Sequence, residues 1–168
     1  MKMCEAFSDL GYTVTLIVPR RLNHIKDDPF TYYGVKKNFK IKRLPTLDLV
    51  KFGRIGFLTQ SFTFSIFSFL YSILNKSDII YSRDELPLFL LGFFKKSVVY
   101  EAHMPRFNFI IKRFTKIITI SKGLKDFYIK NGVREDKLIV APDAVDLGDF
   151  DITINKDEVK QKLGIPLN

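Results

Sequence analysis

Short apolar runs, rich in β-branched residues, alternate along this chain with longer segments of helical periodicity. The short runs predict six strands, over 13–18, 39–44, 78–82, 97–101, 116–120 and 137–141. The longer segments predict helices over 1–10, 56–75, 84–94, 122–131 and 156–163. Because apolar strands that alternate with helices are typical of an α/β fold, we expect a doubly wound parallel sheet covered on both faces.

Two basic side chains follow predicted strands, and ligands of parallel sheets bind at the carboxyl ends of the strands. His103 lies just beyond the fourth strand, where an imidazole can hydrogen-bond a substrate hydroxyl or phosphate. Arg83 follows the third strand, where a guanidinium suits a phosphate or a carboxylate. The alternatives are a loop histidine without a role, and an ion pair of Arg83 with Asp84 or Glu85.

A third candidate lies at the start of the helix predicted over 122–131. Ser121 and Lys122 open this helix, and the free N–H groups at a helix start bind anions. Capping the helix is the simpler role for Ser121, and both roles can hold at once. Four acidic residues then crowd the loop after the last strand: Asp143, Asp146, Asp149 and Asp151. Because their spacing differs from that of an EF-hand calcium loop, we interpret them as turn residues.

The composition offers little for a metal centre or a disulfide. The chain has one cysteine, Cys4, and two histidines, His24 and His103. This excludes a disulfide scaffold and a Cys-rich or His-rich metal site, and His24 lies in a charged loop without a predicted role. The sequence contains no glycine-rich phosphate-binding motif and no nucleophile elbow. We therefore expect neither a metal nor a cofactor.

A long uncharged segment separates Arg54 from Lys76 and holds 21 residues. One face of the predicted helix carries serines and another carries apolar residues: Ser61, Ser65, Ser68 and Ser72 against Leu58, Phe62, Ile66, Phe69 and Ile73. We interpret this segment as an amphipathic helix packed on the sheet. A helix lying on a membrane surface is the next alternative, and a membrane-spanning helix is the third.

The chain carries a formal net charge of +9. Residues 20–54 contain ten Lys or Arg and three Asp, and residues 106–116 add four bases without an acid. Such patches attract anionic lipid surfaces, phosphorylated substrates or nucleic acid. Because no nucleic-acid-binding motif accompanies them, we do not expect a nucleic acid partner. The opening residues 1–11 do not form a signal peptide, so we expect a cytoplasmic location.

The segment 117–150 resembles the late part of the N-terminal domain of family 4 glycosyltransferases of the GT-B fold. In that family a strand ends in a serine, a helix follows, and the next strand leads to a P-N-G-V-D turn and a phenylalanine. The counterparts here are Ser121, Pro142, Val145, Asp146 and Phe150. The opening segment is similar to the family's first helix and second strand through Leu10, Gly11, Tyr12 and Val14, and DIIYSRD and VVYEAHMP resemble two middle strands.

The resemblance implies one half of a GT-B fold with two Rossmann-like domains. It implies a hexosyltransferase that transfers a sugar from a nucleotide-sugar donor to a glycan or lipid-linked acceptor, with retention of configuration and without a metal. The N-terminal domain would mainly hold the acceptor, and His103 matches the histidine that lies by the reacting sugar. Arg83, Ser121, Lys122 and Asp143 are the candidates for substrate binding. The setting would be cell-envelope glycan synthesis at the inner face of the membrane.

The chain departs from the family pattern at three places. The family's first strand would precede Met1, its donor domain would follow Asn168, and its late turn has an asparagine and a glycine where this chain has Asp143 and Ala144. We therefore expect residues 1–154 to form a partial acceptor-side domain and residues 155–168 to begin a connector. By itself the chain would have little or no activity. The alternative is a non-catalytic α/β binding module or a truncated gene product, associated with a membrane surface.

Overall fold

Six parallel strands form the framework of the computed structural model, which describes residues 1–22, 25–94, 97–145 and 155–166. The strands are β1 Thr15–Pro19, β2 Lys40–Leu44, β3 Ile80–Ser82, β4 Val98–Ala102, β5 Lys116–Thr119 and β6 Leu138–Val140. All six coincide with strands predicted from the sequence. All six are short, and β4 and β5 are largely buried, as strands inside a parallel sheet are expected to be, whereas β2 has three exposed basic residues.

The helices also follow the predicted order. They are α1 Lys2–Asp9, α2 Pro29–Tyr32, α3 Gly53–Leu74, α4 Glu85–Gly92, α5 Lys122–Lys130 and α6 Lys156–Lys162. Three short 3₁₀ helices cover Val50–Phe52, Phe109–Arg113 and Glu135–Lys137. Neither α2 nor these 3₁₀ helices were predicted. The α2 helix is a single turn that starts where the Asp28 side chain accepts a hydrogen bond from the Thr31 backbone N–H.

The strands form two sheets. One sheet pairs β1 with β2, and the other has the order β3-β4-β5-β6. Every pair is parallel, with Ser82 opposite Tyr100 and Tyr100 opposite Ile117 in register. The observed arrangement confirms the predicted α/β class with parallel strands. The carboxyl ends of β3 to β6 consequently share one edge, where the candidate residues follow the strands.

The main core lies on one face of the four-stranded sheet. It combines side chains of α4, β4, the second 3₁₀ helix, β5, α5 and β6: Leu88, Leu91, Val98, Tyr100, Ala102, Ile110, Ile111, Phe114, Ile117, Leu124, Tyr128, Val133 and Leu138. On the opposite face α1 reaches the sheet, because the ring of Phe7 lies 5.8 Å from that of Tyr81. Helices therefore meet both faces of the sheet, as a doubly wound fold requires.

The long α3 helix is present, but its orientation differs from that of an ordinary amphipathic helix. Its serine stripe faces inward, since Ser65, Ser68 and Ser72 are buried. Its apolar stripe is largely on the outside, where Phe62 has 63% of its surface exposed. The α3 helix packs against α4, and Phe69 alone among the apolar stripe packs on the main core. The helix lies on the domain through its polar face.

A glycine permits the close approach of α3 to the preceding segment. A Cβ atom built on Gly56 would lie 1.7 Å from the backbone oxygen of Leu49, which is far inside van der Waals contact. Gly56 therefore serves the packing of backbone against backbone at the start of α3.

We expect Gly56→Ala to lower the free energy of unfolding by about 1–3 kcal/mol, because the methyl group must displace backbone atoms. Gly123→Ala is the matched control, since no heavy atom lies within 4 Å of the added Cβ. That control should stay within about 1 kcal/mol of the wild type. The measurement is the urea midpoint followed by circular dichroism. Equal midpoints for the two variants would contradict the packing argument.

Candidate functional site

The centre of the candidate site is a buried carboxylate at the carboxyl end of β4. The Glu101 side chain is only 5% exposed. The Tyr81 hydroxyl donates a hydrogen bond to its Oε2 atom. Its Oε1 atom lies 2.8 Å from Nη2 of Arg83 and 2.8 Å from Nε2 of His103. Three donors from two neighbouring strands thus converge on one carboxylate.

The electrostatics of this cluster follow from that convergence. Burial raises the pKa of the Glu101 carboxyl, but the hydrogen bonds from Tyr81, Arg83 and His103 outweigh it and hold the pKa below its usual range. The same carboxylate raises the pKa of Arg83. Burial and the hydrogen bond to Glu101 raise the pKa of Tyr81 as well. Glu101 is therefore ionised and Tyr81 neutral across the physiological range.

Because Glu101 is ionised, it determines which nitrogen of the His103 ring carries a proton. An ionised carboxylate only accepts hydrogen bonds, so Nε2 of His103 must carry the proton that bridges the 2.8 Å gap. Nδ1 is then the ring atom that can face a ligand. The His103 side chain is half-buried, so the site remains accessible from solvent. Glu101 acts here as the group that orients the imidazole.

A shallow depression of about 270 Å³ opens beside this histidine. His103 and Ser121 provide polar groups on its wall, with Gly123 next to them, and the remaining lining is apolar: Pro105, Ile120, Leu124 and Phe127. The Ser121 hydroxyl accepts a hydrogen bond from the Leu124 backbone N–H at 3.3 Å, so its predicted role as helix cap is confirmed. The start of α5 therefore forms part of the wall of the depression, through Ser121, Gly123 and Leu124.

Arg83 and Asp143 lie on the other side of the cluster. Nη2 of Arg83 is 3.9 Å from Oδ1 of Asp143, whose side chain is exposed. Arg83 does form an ion pair, as the alternative predicted, but its partner is Glu101 and not Asp84 or Glu85. Asp84 caps α4 by accepting from the Leu86 backbone N–H, and Glu85 accepts a hydrogen bond from Tyr100.

The remaining predicted residues are placed apart from the cluster or lie outside the described part of the chain. Lys122 is exposed at the start of α5 and is not part of the lining of the depression. The residues outside the described ranges are His24, Asp146, Asp149, Phe150 and Asp151. The interpretation of the late acidic loop and the last matches to the family turn therefore stay predictions.

Sequence reasoning missed Glu101 and Tyr81 as members of the site. A signal for Glu101 existed, because a lone acid at the end of a strand of apolar residues is unusual unless the acid is paired. The alternation of side chains along a strand also places Glu101 and His103 on the same face of the sheet. Tyr81 carried no such signal, since a tyrosine in a strand is ordinary.

Three ligand atoms in the site are close enough to meet at one ion. One atom each of Glu101, His103 and Asp143 lies within 4.8 Å of the others. The Glu101 oxygen, however, already pairs with the guanidinium of Arg83. A divalent cation there would face a fixed positive charge that competes for the same oxygen. The donor set therefore fits an ion-pair network better than a metal site.

Comparison with known proteins shows a likeness in structure. No family model and no curated protein matches the sequence. The chain superimposes on Anabaena HepE (Alr3699), solved in complex with UDP and glucose, with a TM-score of 0.61 and 16% identity. The match covers 96% of this chain and 44% of the HepE chain, so this chain spans less than half the length of HepE.

The likeness confirms the Rossmann-like α/β class of the fold. At 16% identity, structural similarity to HepE supports the fold but not the function. Membership of glycosyltransferase family 4 therefore stays a prediction. The same holds for the boundary between residues 154 and 155 and for the roles of the individual site residues.

The buried carboxylate predicts a pH dependence of stability. Folding lowers the pKa of the Glu101 carboxyl. The ionised carboxylate therefore stabilises the folded protein at pH values above the pKa of an unfolded glutamate, about 4.3. This stabilisation disappears as the pH falls through the folded value. We expect Glu101→Gln to lose about 1–3 kcal/mol of unfolding free energy at pH 7. The difference from the wild type should shrink below about pH 4.

Urea unfolding across this pH range measures the effect. Glu158→Gln, which removes an exposed carboxylate of α6, should keep the wild-type pH profile. A constant difference between Glu101→Gln and the wild type at every pH would contradict the assigned ion pairs.

Proposed function

We propose that this chain provides the acceptor-side wall of a nucleotide-sugar-dependent glycosyltransferase. The observation that carries the proposal is the cluster of Glu101, Arg83 and His103 at the carboxyl edge of a Rossmann-like parallel sheet. Ligands of open α/β sheets bind at that edge. The fold is also that of HepE, whose structure holds UDP and glucose, the two parts of a nucleotide sugar.

In this proposal His103 contacts the sugar that is transferred. Glu101 holds the ring through Nε2, so that Nδ1 presents a fixed hydrogen-bonding atom to a sugar hydroxyl. A sugar binds through directional hydrogen bonds, and a ring that cannot rotate loses less entropy when the contact forms. Glu101 is thus a positioning residue, and Tyr81 completes its hydrogen bonds from the neighbouring strand.

Two cationic features suit the charge that develops during transfer. The bond from the anomeric carbon to the diphosphate breaks, and a bond from that carbon to an acceptor hydroxyl oxygen forms. The nucleoside diphosphate leaves with the bonding electron pair, and an oxygen of the departing phosphate takes the proton of the acceptor hydroxyl. The N-terminal turn of α5 beside Ser121 supplies positive potential near this edge, and the exposed guanidinium of Arg83, which pairs with Glu101, has further N–H donors for a phosphate oxygen. They would help to stabilise the leaving diphosphate without a metal.

The resemblance to family 4 supplies the finer parts of the proposal. These are transfer of a hexose with retention, a glycan or lipid-linked acceptor, and a cytoplasmic site in cell-envelope synthesis. Asp143 and Lys122 would contact substrate from the rim of the site. Most of the donor site would lie in a second domain outside this chain, which spans less than half the length of HepE.

The test is an assay of the complete gene product that carries this chain, with radiolabelled UDP-hexoses and a glycan acceptor mixture. We expect His103→Ala to lower turnover at least about 100-fold, as loss of a group that contacts the reacting sugar does. Lys130→Ala, at the far end of α5, should leave turnover unchanged. The 168-residue chain by itself should transfer no sugar.

Equal turnover of His103→Ala and the wild type would remove the role given to this histidine. Absence of transfer by the complete gene product, with every donor, would favour the alternative of a non-catalytic α/β binding module.

A further inference from the structure

The outward face of α3 is unusually apolar for a surface helix. Its exposed large side chains include Ile55, Leu58, Phe62, Leu70 and Ile73. We call these five residues the outer face of α3. An exposed apolar surface of this kind marks a place where a protein meets a membrane or a partner. The serines that a soluble helix would direct to water are buried against the domain instead.

The charges around the outer face indicate which partner it fits. The segment from 49 to 77 contains no acidic residue, and its three charges are the exposed cations Lys51, Arg54 and Lys76, at the two ends of α3. An apolar strip bounded by cations is complementary to a bilayer with anionic headgroups.

The contacts of α1 indicate that α3 lies along the membrane surface and does not cross the membrane. With 22 residues, α3 is long enough to span a bilayer core. Crossing would, however, place β2 and β3 on opposite sides of the membrane. The α1 helix prevents this, because it contacts β3 through Phe7 and also holds the segment before β2, where Glu5 accepts from the Lys36 backbone N–H at 2.7 Å.

We propose that the outer face of α3, with Lys51, Arg54 and Lys76, is a docking surface for anionic lipid membranes. Phe62 and its apolar neighbours enter the boundary between headgroups and acyl chains. The cations contact lipid phosphates or carboxylates at either end of the helix. This inference rests on α3 and its flanks and is independent of the proposed transferase activity, since no residue of the site around Glu101 takes part.

The test is sedimentation of the full chain with vesicles. One set contains phosphatidylcholine alone, and the other contains phosphatidylcholine with phosphatidylglycerol. We expect binding to the anionic vesicles, weak binding to the neutral ones, and release in high salt because the Debye length shortens. Replacing both Lys51 and Arg54 by Gln should weaken binding roughly 25-fold at low salt. The charge-matched control replaces Lys130 and Arg134 by Gln and should bind as the wild type does.

The apolar contribution has its own matched pair of variants. Phe62 and Phe109 are both 63% exposed, but only Phe62 belongs to the outer face of α3. Phe62→Ser should weaken binding roughly tenfold, as loss of a buried phenyl group does, whereas Phe109→Ser should not weaken it. Circular dichroism checks that all variants are folded, and light scattering reports the oligomeric state.

Several results would overturn the proposal. Equal binding to both vesicle types would contradict the proposed attraction between the cations and anionic lipids. Absence of binding to either type would contradict the proposed docking surface as a whole. Retention in alkaline carbonate would indicate a spanning helix. An oligomer that Phe62→Ser converts to a monomer, without any lipid binding, would assign the outer face to a second copy of the chain.

Discussion

The parallel register of four short strands is the constraint on which the rest of this structure depends. Parallel pairing from β3 to β6 aligns the carboxyl ends of the strands at one edge. Residues that are far apart in the sequence therefore arrive together: Arg83 after β3, His103 after β4 and Ser121 after β5. An antiparallel arrangement would have divided them between the two ends of the sheet.

Burial of one carboxylate at that edge then organises the side chains. Removing Glu101 from water costs free energy that only directed donors can offset, and each donor comes from a position the register has already set. Tyr81 reaches it from the adjacent strand β3, Arg83 from the loop after β3, and His103 from the position just after β4. The outcome is a histidine whose Nε2 atom is held by Glu101 at 2.8 Å.

The size of the side chains, as well as their polarity, decides which face of α3 packs against the domain. Serines in α3 allow close contact with α4, and Gly56 allows the backbone of Leu49 to approach closely. The larger apolar residues of α3 are consequently left outside. In water these side chains remain solvated and contribute no hydrophobic stabilisation. Contact with an apolar phase would transfer them out of water, which is favourable. The structure thus joins a polar candidate site at the sheet edge to an apolar surface on α3.

Local patterns in the amino-acid sequence were enough to predict the class of fold and the order of the elements. Apolar β-branched runs, the helix cap at Ser121 and the alternation with helices are local signals, and local chemistry suffices to interpret them. It also placed His103 and Arg83 at strand ends. Only the tertiary structure decided which carboxylate joins them, because the partner of Arg83 lies on a neighbouring strand. It also decided which stripe of α3 faces inward, since periodicity separates two faces of a helix but does not determine what each one meets.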